Sequence, residues 1–291
     1  MSGSVVSGSV VVGVDGTGNS VPAVRWGATE AAARDLPLHL VHSWRSQPPS
    51  VRVTHRAGDS ECCGAEVLHA AEAAARAAYP GIAVTTEQVS EDAVAALTER
   101  SGQASMLVLG SRGHSAINGF LLGSVSLHVL GSAGCPVVTV REEQAVAYAE
   151  PEIVVGVRNT GVAGEPLLDF GFTAADTHHT GLRAVRVRQP PDIGGLAPDA
   201  AGLVPEDPEL VLGEQKALTD ALRSWRRKFP EVEVIEHMES GRVVPALLTA
   251  ASQAGLLVIG RGVRRSPMLL GPVVLALLHH SPCPVAIVPG V

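Results

Sequence analysis

Four residues near the middle of the chain have the types and spacing that bind phosphate: Gly110, Gly113, Gly123 and Ser124. The apolar run Leu107-Val-Leu ends on Gly110, Gly113 follows, and Gly123-Ser124 opens a second apolar segment. An apolar run, a glycine turn and the start of a new periodic segment describe a strand, a loop and a helix N-terminus. Glycine lets a backbone approach an anion closely, and a helix start offers unpaired N–H groups at the positive end of its dipole. Ser124 can cap that helix or donate its hydroxyl to a phosphate oxygen. A second chemical residue is Asp15, which closes the apolar run Val10-Val-Val-Gly13-Val14. Without ligand chemistry, Asp15 would be an ordinary turn-forming residue ahead of Gly16, and the glycines an ordinary loop.

The elements that must position these residues can be read in order. A strand at 10–15 leads into a capped turn at 16–20 and a helix over 21–34. A strand at 38–44 and a polar, proline-containing loop at 45–59 follow. Next come an alanine-rich helix over 65–78, a strand at 82–89 and a short helix over 92–101. Strand 105–110, the glycine loop, a helix from Ser124 to about Leu130 and strand 136–140 complete the first half. Strands alternating with helices imply a doubly wound α/β sheet. In such sheets ligands bind at the carboxyl ends of strands, where strand order reverses, and Asp15 and Gly110 both sit at strand ends.

The same order returns after a polar stretch at 141–150. Ile153-Val-Val-Gly-Val157 echoes Val10 to Val14, Leu256-Leu-Val-Ile-Gly260 echoes Met106 to Gly110, and Cys283-Pro-Val echoes Cys135-Pro-Val. These pairs lie 143, 150 and 148 residues apart by subtraction of their numbers. A near-constant offset with shared order is an internal duplication, which places two domains at 1–146 and 147–291.

Gly110, Gly113, Gly123 and Ser124 match residue for residue the nucleotide-binding signature of the universal stress protein family: Gly, two residues, Gly, nine residues, Gly, then Ser or Thr. The duplicated chain resembles the tandem actinobacterial type of that family. The resemblance implies a five-stranded parallel sheet of the adenine nucleotide α-hydrolase kind in each half, with the halves packed as a pseudo-dimer. It also implies ATP, alone or with Mg2+, held by Asp15, by backbone at Val41 beside the adenine, and by Gly110, Gly113, Gly123, Ser124, Val125 and Ser126 around ribose and phosphates.

The second half departs from this pattern. Arg158 stands at the place of Asp15, Val263 falls where the second glycine belongs, and Pro272 replaces the Ser. From Gly260 to Gly271 is 11 positions, against 13 from Gly110 to Gly123. Proline lacks an N–H and a hydroxyl, so this half is not expected to bind ATP in the family's manner. Two readings follow. The preferred one is a degenerate copy that supports the first half. The other is an anion site made by Arg158, Arg261, Arg264 and Arg265.

Composition narrows the function classes. A formal net charge of -7 over 291 residues argues against a general nucleic-acid binder. No apolar run approaches the roughly 20 residues of a membrane span. The beginning of the chain carries no basic segment ahead of an apolar core, so a cytoplasmic protein is expected. Cys62, Cys63, Cys135 and Cys283 form no metal spacing and are expected to be reduced thiols. The pairs His178-His179 and His279-His280 sit at helix ends and lack the spacing of a zinc site. No Gly-Lys-Ser/Thr tripeptide marks a P-loop. Gly13, Gly16 and Gly18 have the wrong spacing for a dinucleotide fold, whose second strand would also end in a carboxylate.

No nucleophile–base pair stands out, so the expectation is a nucleotide-linked regulator of the stress response and not an enzyme. The competing readings are a slow ATPase or nucleotidyl-transfer enzyme on the same fold, and an interaction module that binds no nucleotide. Expected partners are the adenine nucleotide, a second copy of the chain in a homodimer or other homo-oligomer, and a protein the sequence does not name.

Overall fold

The computed structural model describes residues 8–18, 20–44, 57–111, 122–141, 151–188, 208–262 and 270–290, with the side chains of 57–63 outside the description. The chain folds as two compact α/β units. The first contains β1 (Val10–Gly13), α1 (Ser20–Ala33), β2 (Leu38–Ser43), α2 (Ala57–Ala78), β3 (Val84–Val89), α3 (Ala93–Ser101), β4 (Met106–Gly110), α4 (Ser124–Ser132) and β5 (Val137–Val140). Its strands lie in the order β3-β2-β1-β4-β5. All are parallel, with Val10 opposite both Leu38 and Met106.

Parallel strands covered on both faces must be apolar throughout. Val10, Val11, Val12, Leu107 and Val108 are accordingly fully buried. Helices α1 and α2 pack together on one face, and α3 and α4 together on the other. Close approach of α1 depends on Gly27, where a Cβ would stand 2.7 Å from Val12 Cγ2. The second unit repeats this at Gly171, where a Cβ would lie 2.6 Å from Val155 Cγ2.

That unit contains β6 (Ile153–Gly156), α5 (Glu165–Thr177), β7 (Leu182–Arg188), α6 (Pro208–Lys228), β8 (Val234–Ser240), α7 (Val243–Ala250), β9 (Leu256–Gly260), α8 (Pro272–His280) and β10 (Val285–Val288). Its order, β8-β7-β6-β9-β10, is the order of the first unit, and every pairing is again parallel. In both sheets the order reverses between the first and fourth strands of the unit, which opens a crevice at their carboxyl ends.

Several boundaries differ from the sequence reading. β1 ends at Gly13, so Asp15 lies two residues beyond the strand. β3 begins at Val84 and not at residue 82. α2 begins at Ala57, inside the stretch read as a polar loop, and Cys62 and Cys63 lie within it. Among the described residues, no helix is long and apolar enough to cross a membrane.

A buried polar cluster joins three elements of the first unit. Arg100 of α3 grips Glu87 of β3 with two hydrogen bonds of 2.8 Å, from Nε and Nη2. His39 Nε2 of β2 lies 3.0 Å from the same carboxylate. Arg100 Nη1 donates to Ala96 O, which fixes the guanidinium plane.

Candidate functional site

The first unit opens into a cavity of about 460 Å3 at the carboxyl ends of β1, β2 and β4. That volume falls within the roughly 300–1,000 Å3 typical of small-molecule sites. Seven of the eight residues expected from the sequence line it: Asp15, Val41, Gly110, Gly123, Ser124, Val125 and Ser126. The eighth, Gly113, lies outside the described residues.

Asp15 is held by its own turn. Its Oδ1 accepts from Thr17 N at 2.9 Å, Thr17 Oγ1 at 2.8 Å and Ser20 Oγ at 2.7 Å. Partial burial pushes this carboxyl up. The hydrogen bonds from Ser20, from Thr17 and from its own backbone N–H outweigh that and hold it below the ordinary aspartate value. Asp15 is therefore a fixed negative charge at neutral pH. Its position at the cavity wall and its role in the turn coexist.

At the opposite wall, α4 points its N-terminus at the cavity. The sequence allowed Ser124 to be the cap; the cap is instead Gly123, in extended backbone (φ -61°, ψ 150°), and no side chain caps the helix. Ser124 is the first helical residue, because Leu127 N is the group that bonds to Gly123 O, at 3.0 Å. The N–H groups of Ser124, Val125 and Ser126 thus precede the first intrahelical bond. They form an uncapped set of donors at the positive end of the helix.

Val41 sits on the β2 side. Its carbonyl accepts the N–H of Val14 at 2.9 Å, and a carbonyl keeps a second lone pair for another donor, such as an exocyclic amine. His42 Nδ1 meets Val14 O at 2.7 Å and so ties the ends of β1 and β2 together.

Sequence reasoning missed the apolar wall. Ala93, Ala96 and Leu97 line the cavity from α3, and Leu122 from the segment before α4. Their helical spacing from residue 93 to 97 carried a usable signal, but nothing local said which cavity that face covers. Ser43, at the end of β2, was also missed and lines the cavity. Among the described residues no three His, Cys, Asp or Glu side chains converge as a metal site. Among the described residues, Asp15 is the one carboxylate lining the cavity.

The corresponding crevice of the second unit is a cavity of about 540 Å3. Arg158, Arg261 and Pro272 line it, whereas Arg264 and Arg265 lie outside the described residues.

The universal stress protein family model matches residues 8–141 and again 151–289. A universal stress protein of Mycobacterium tuberculosis is 32% identical over 291 residues, covering 96% of each chain. Over 97% of this chain and 98% of its own, the crystal structure of a universal stress protein from Archaeoglobus fulgidus superposes with a TM-score of 0.73 at 20% identity. Two further solved members are nucleotide complexes. One, with cAMP, covers 46% of this chain and 97% of its own at 28% identity and a TM-score of 0.36. The other, from Archaeoglobus fulgidus with dAMP, covers 45% and 96% at 20% identity and a TM-score of 0.35. Two family domains in tandem, each on the same five-strand order, account for nearly the whole chain: it belongs to the universal stress protein family.

Proposed function

We propose that the first unit binds ATP in the 460 Å3 cavity and that the chain acts as a nucleotide-linked regulator of the stress response, not as a turnover enzyme. The observation that carries this reading is the uncapped start of α4, Gly123 to Ser126, facing Asp15 across a cavity at the strand-order reversal. Donors at the helix start suit the phosphates, the Val41 edge and the α3 wall suit the adenine, and Asp15 suits a ribose hydroxyl. A regulator of this kind works only if ATP binds one conformational or partner-bound state better than another. Catalysis would need a general base or metal carboxylates at the γ-phosphate, and the described lining offers Asp15 alone, already engaged in its turn.

The test is the nucleotide content of freshly purified protein, released by denaturation and identified by chromatography and mass spectrometry. One ATP per chain supports the reading. Two per chain would refute the restriction to the first unit. ADP with accumulating phosphate would favour the enzyme. A chain that neither retains nor binds nucleotide would overturn the assignment.

A further inference from the structure

The second cavity has the backbone frame of the first and the opposite charge. Val157 N donates to Val185 O at 2.8 Å, as Val14 N does to Val41 O. Arg261 N bonds to Val288 O as Ser111 N bonds to Val140 O, and Leu275 N to Gly271 O as Leu127 N to Gly123 O. These matches fix the equivalences: Arg158 for Asp15, Arg186 for His42, Arg188 for Trp44, Arg261 for Ser111 and Pro272 for Ser124. Among the described residues, four guanidiniums and one carboxylate, Glu214, line this cavity, whereas Asp15 is the charged side chain lining the first. This concentration of positive charge occurs on a chain of net charge -7.

The arginines are oriented by the protein. Arg186 Nη1 donates to Arg158 O at 2.8 Å, one residue beyond the carbonyl equivalent to the one His42 meets in the first unit, and its Nε lies 3.3 Å from Glu214 Oε2. Arg188 Nη2 donates to Ser240 Oγ at 3.1 Å. A guanidinium carries five N–H donors in a planar fork, the geometry that recognises phosphate. Meanwhile α8 has lost a donor, because Pro272 is its first residue. The second cavity thus offers side-chain forks where the first offers helix N–H groups. The charges also arise from three neighbouring strands. Arg186 and Arg188 lie on β7, Arg158 follows β6 and Arg261 follows β9. Strands about 4.8 Å apart put β7 and β9 about 10 Å from one another. A ligand with anionic groups at two ends meets both sides; a compact ion meets one.

We propose that the second unit's cavity is a separate site for a small molecule carrying two phosphate groups, held by Arg158 and Arg261 on one side and Arg186 and Arg188 on the other. Calorimetric titration of the full chain with fructose 1,6-bisphosphate, and with inorganic phosphate as the single-group comparator, tests it. One bisphosphate should bind per chain, at least about tenfold more tightly than phosphate, since two charge-assisted forks act together. Binding should weaken with added salt. It should persist in Gly123→Asp, which alters only the first cavity. It should fall by at least about tenfold in Arg158→Gln/Arg261→Gln. Arg158 is exposed, so Arg158→Gln alone provides a readable variant if the double substitution lowers stability. No binding of the bisphosphate would overturn the proposal. So would binding lost in Gly123→Asp, binding unaffected by the arginine variants, or equal affinity for phosphate. The reading of the first cavity stands or falls separately, on ATP.

Discussion

Substituting Gly123→Asp should separate nucleotide binding from stability, because the two effects have opposite signs. Gly123 caps α4 with φ -61° and ψ 150°, a conformation open to any residue, and a Cβ built there meets nothing within 4 Å. Aspartate is a better N-cap than glycine by a few tenths of a kcal/mol, and its charge suits the helix start. The folded protein should therefore melt at the same temperature or slightly higher. The same carboxylate would occupy the place of phosphate. At about 6 Å from one phosphate charge it repels by about 0.7 kcal/mol in bulk water and about 3 kcal/mol at an effective dielectric of 20. Taking about 1–3 kcal/mol as the working range, ATP affinity should fall by about 5- to 150-fold.

The assay is calorimetric titration with ATP at low and high ionic strength, beside a thermal melt of the unliganded protein. The loss should shrink as salt rises, and Gly123→Ala should bind close to wild type. Unchanged affinity in a folded Gly123→Asp at low salt would refute the placement of phosphates at α4. Equal losses in Gly123→Ala and Gly123→Asp would refute the electrostatic reasoning.

Acid unfolding tests the Arg100–Glu87–His39 cluster. The hydrogen bonds from Arg100 hold the Glu87 carboxyl below its ordinary value against the opposing effect of burial, with His39 adding to the lowering. A carboxylate lowered in the folded state contributes stability that is present above its unfolded value and lost as pH falls through the folded one. Wild type should therefore shed this contribution below pH 4.5. Glu87→Gln should lack that component and be less stable at neutral pH by about 1–3 kcal/mol, because Arg100 loses its two short charge-assisted bonds and keeps the more distant carboxylates of Glu91 at 3.5 Å and Glu99 at 3.7 Å; parallel pH titrations of unfolding would show an identical slope if the reasoning is wrong. Gly27→Val should cost about 1–3 kcal/mol through overpacking against Val12, read as a lowered denaturant midpoint; an unchanged midpoint would mean that α1 can withdraw freely. Burial pushes the Cys135 thiol up to about 12. Its labelling by thiol reagents at pH 8, followed by mass spectrometry, should be slow until denaturant is added, and rapid labelling of the native chain would contradict the burial.

The strand-helix alternation, the duplication and seven of the sixteen residues lining the first cavity were legible in one dimension. The runs Val10 to Val12 and Met106 to Leu109 are apolar because both faces of a parallel sheet are covered, and that pattern lies in consecutive residues. Glycine spacing is equally local, so Gly110 and Gly123 pointed to a loop and a helix start. The helix start at Ser124 was read from the sequence, but whether Ser124 caps it was left open, because serine and glycine both suit an N-cap, and the path of the backbone gives that place to Gly123. α2 was read too short because alanine content marks a helix's middle better than its start.

Everything that depends on residues far apart in the chain waited for the tertiary structure. Glu87 and Arg100 are ordinary charged residues in sequence until the β2–β3 register and the α3 packing bring them together. Ala93 and Leu97 read as one helix's apolar face, with no sign of which cavity they wall. Arg186 and Arg188 were not singled out beside Arg158 and Arg261, because a strand's sequence does not say which neighbours flank it. Periodicity and turn chemistry arise from contacts between near neighbours in the chain, so the sequence records them directly. Strand order and register arise from burying several such patterns against one another at once, and it is there that the charge of a site is decided.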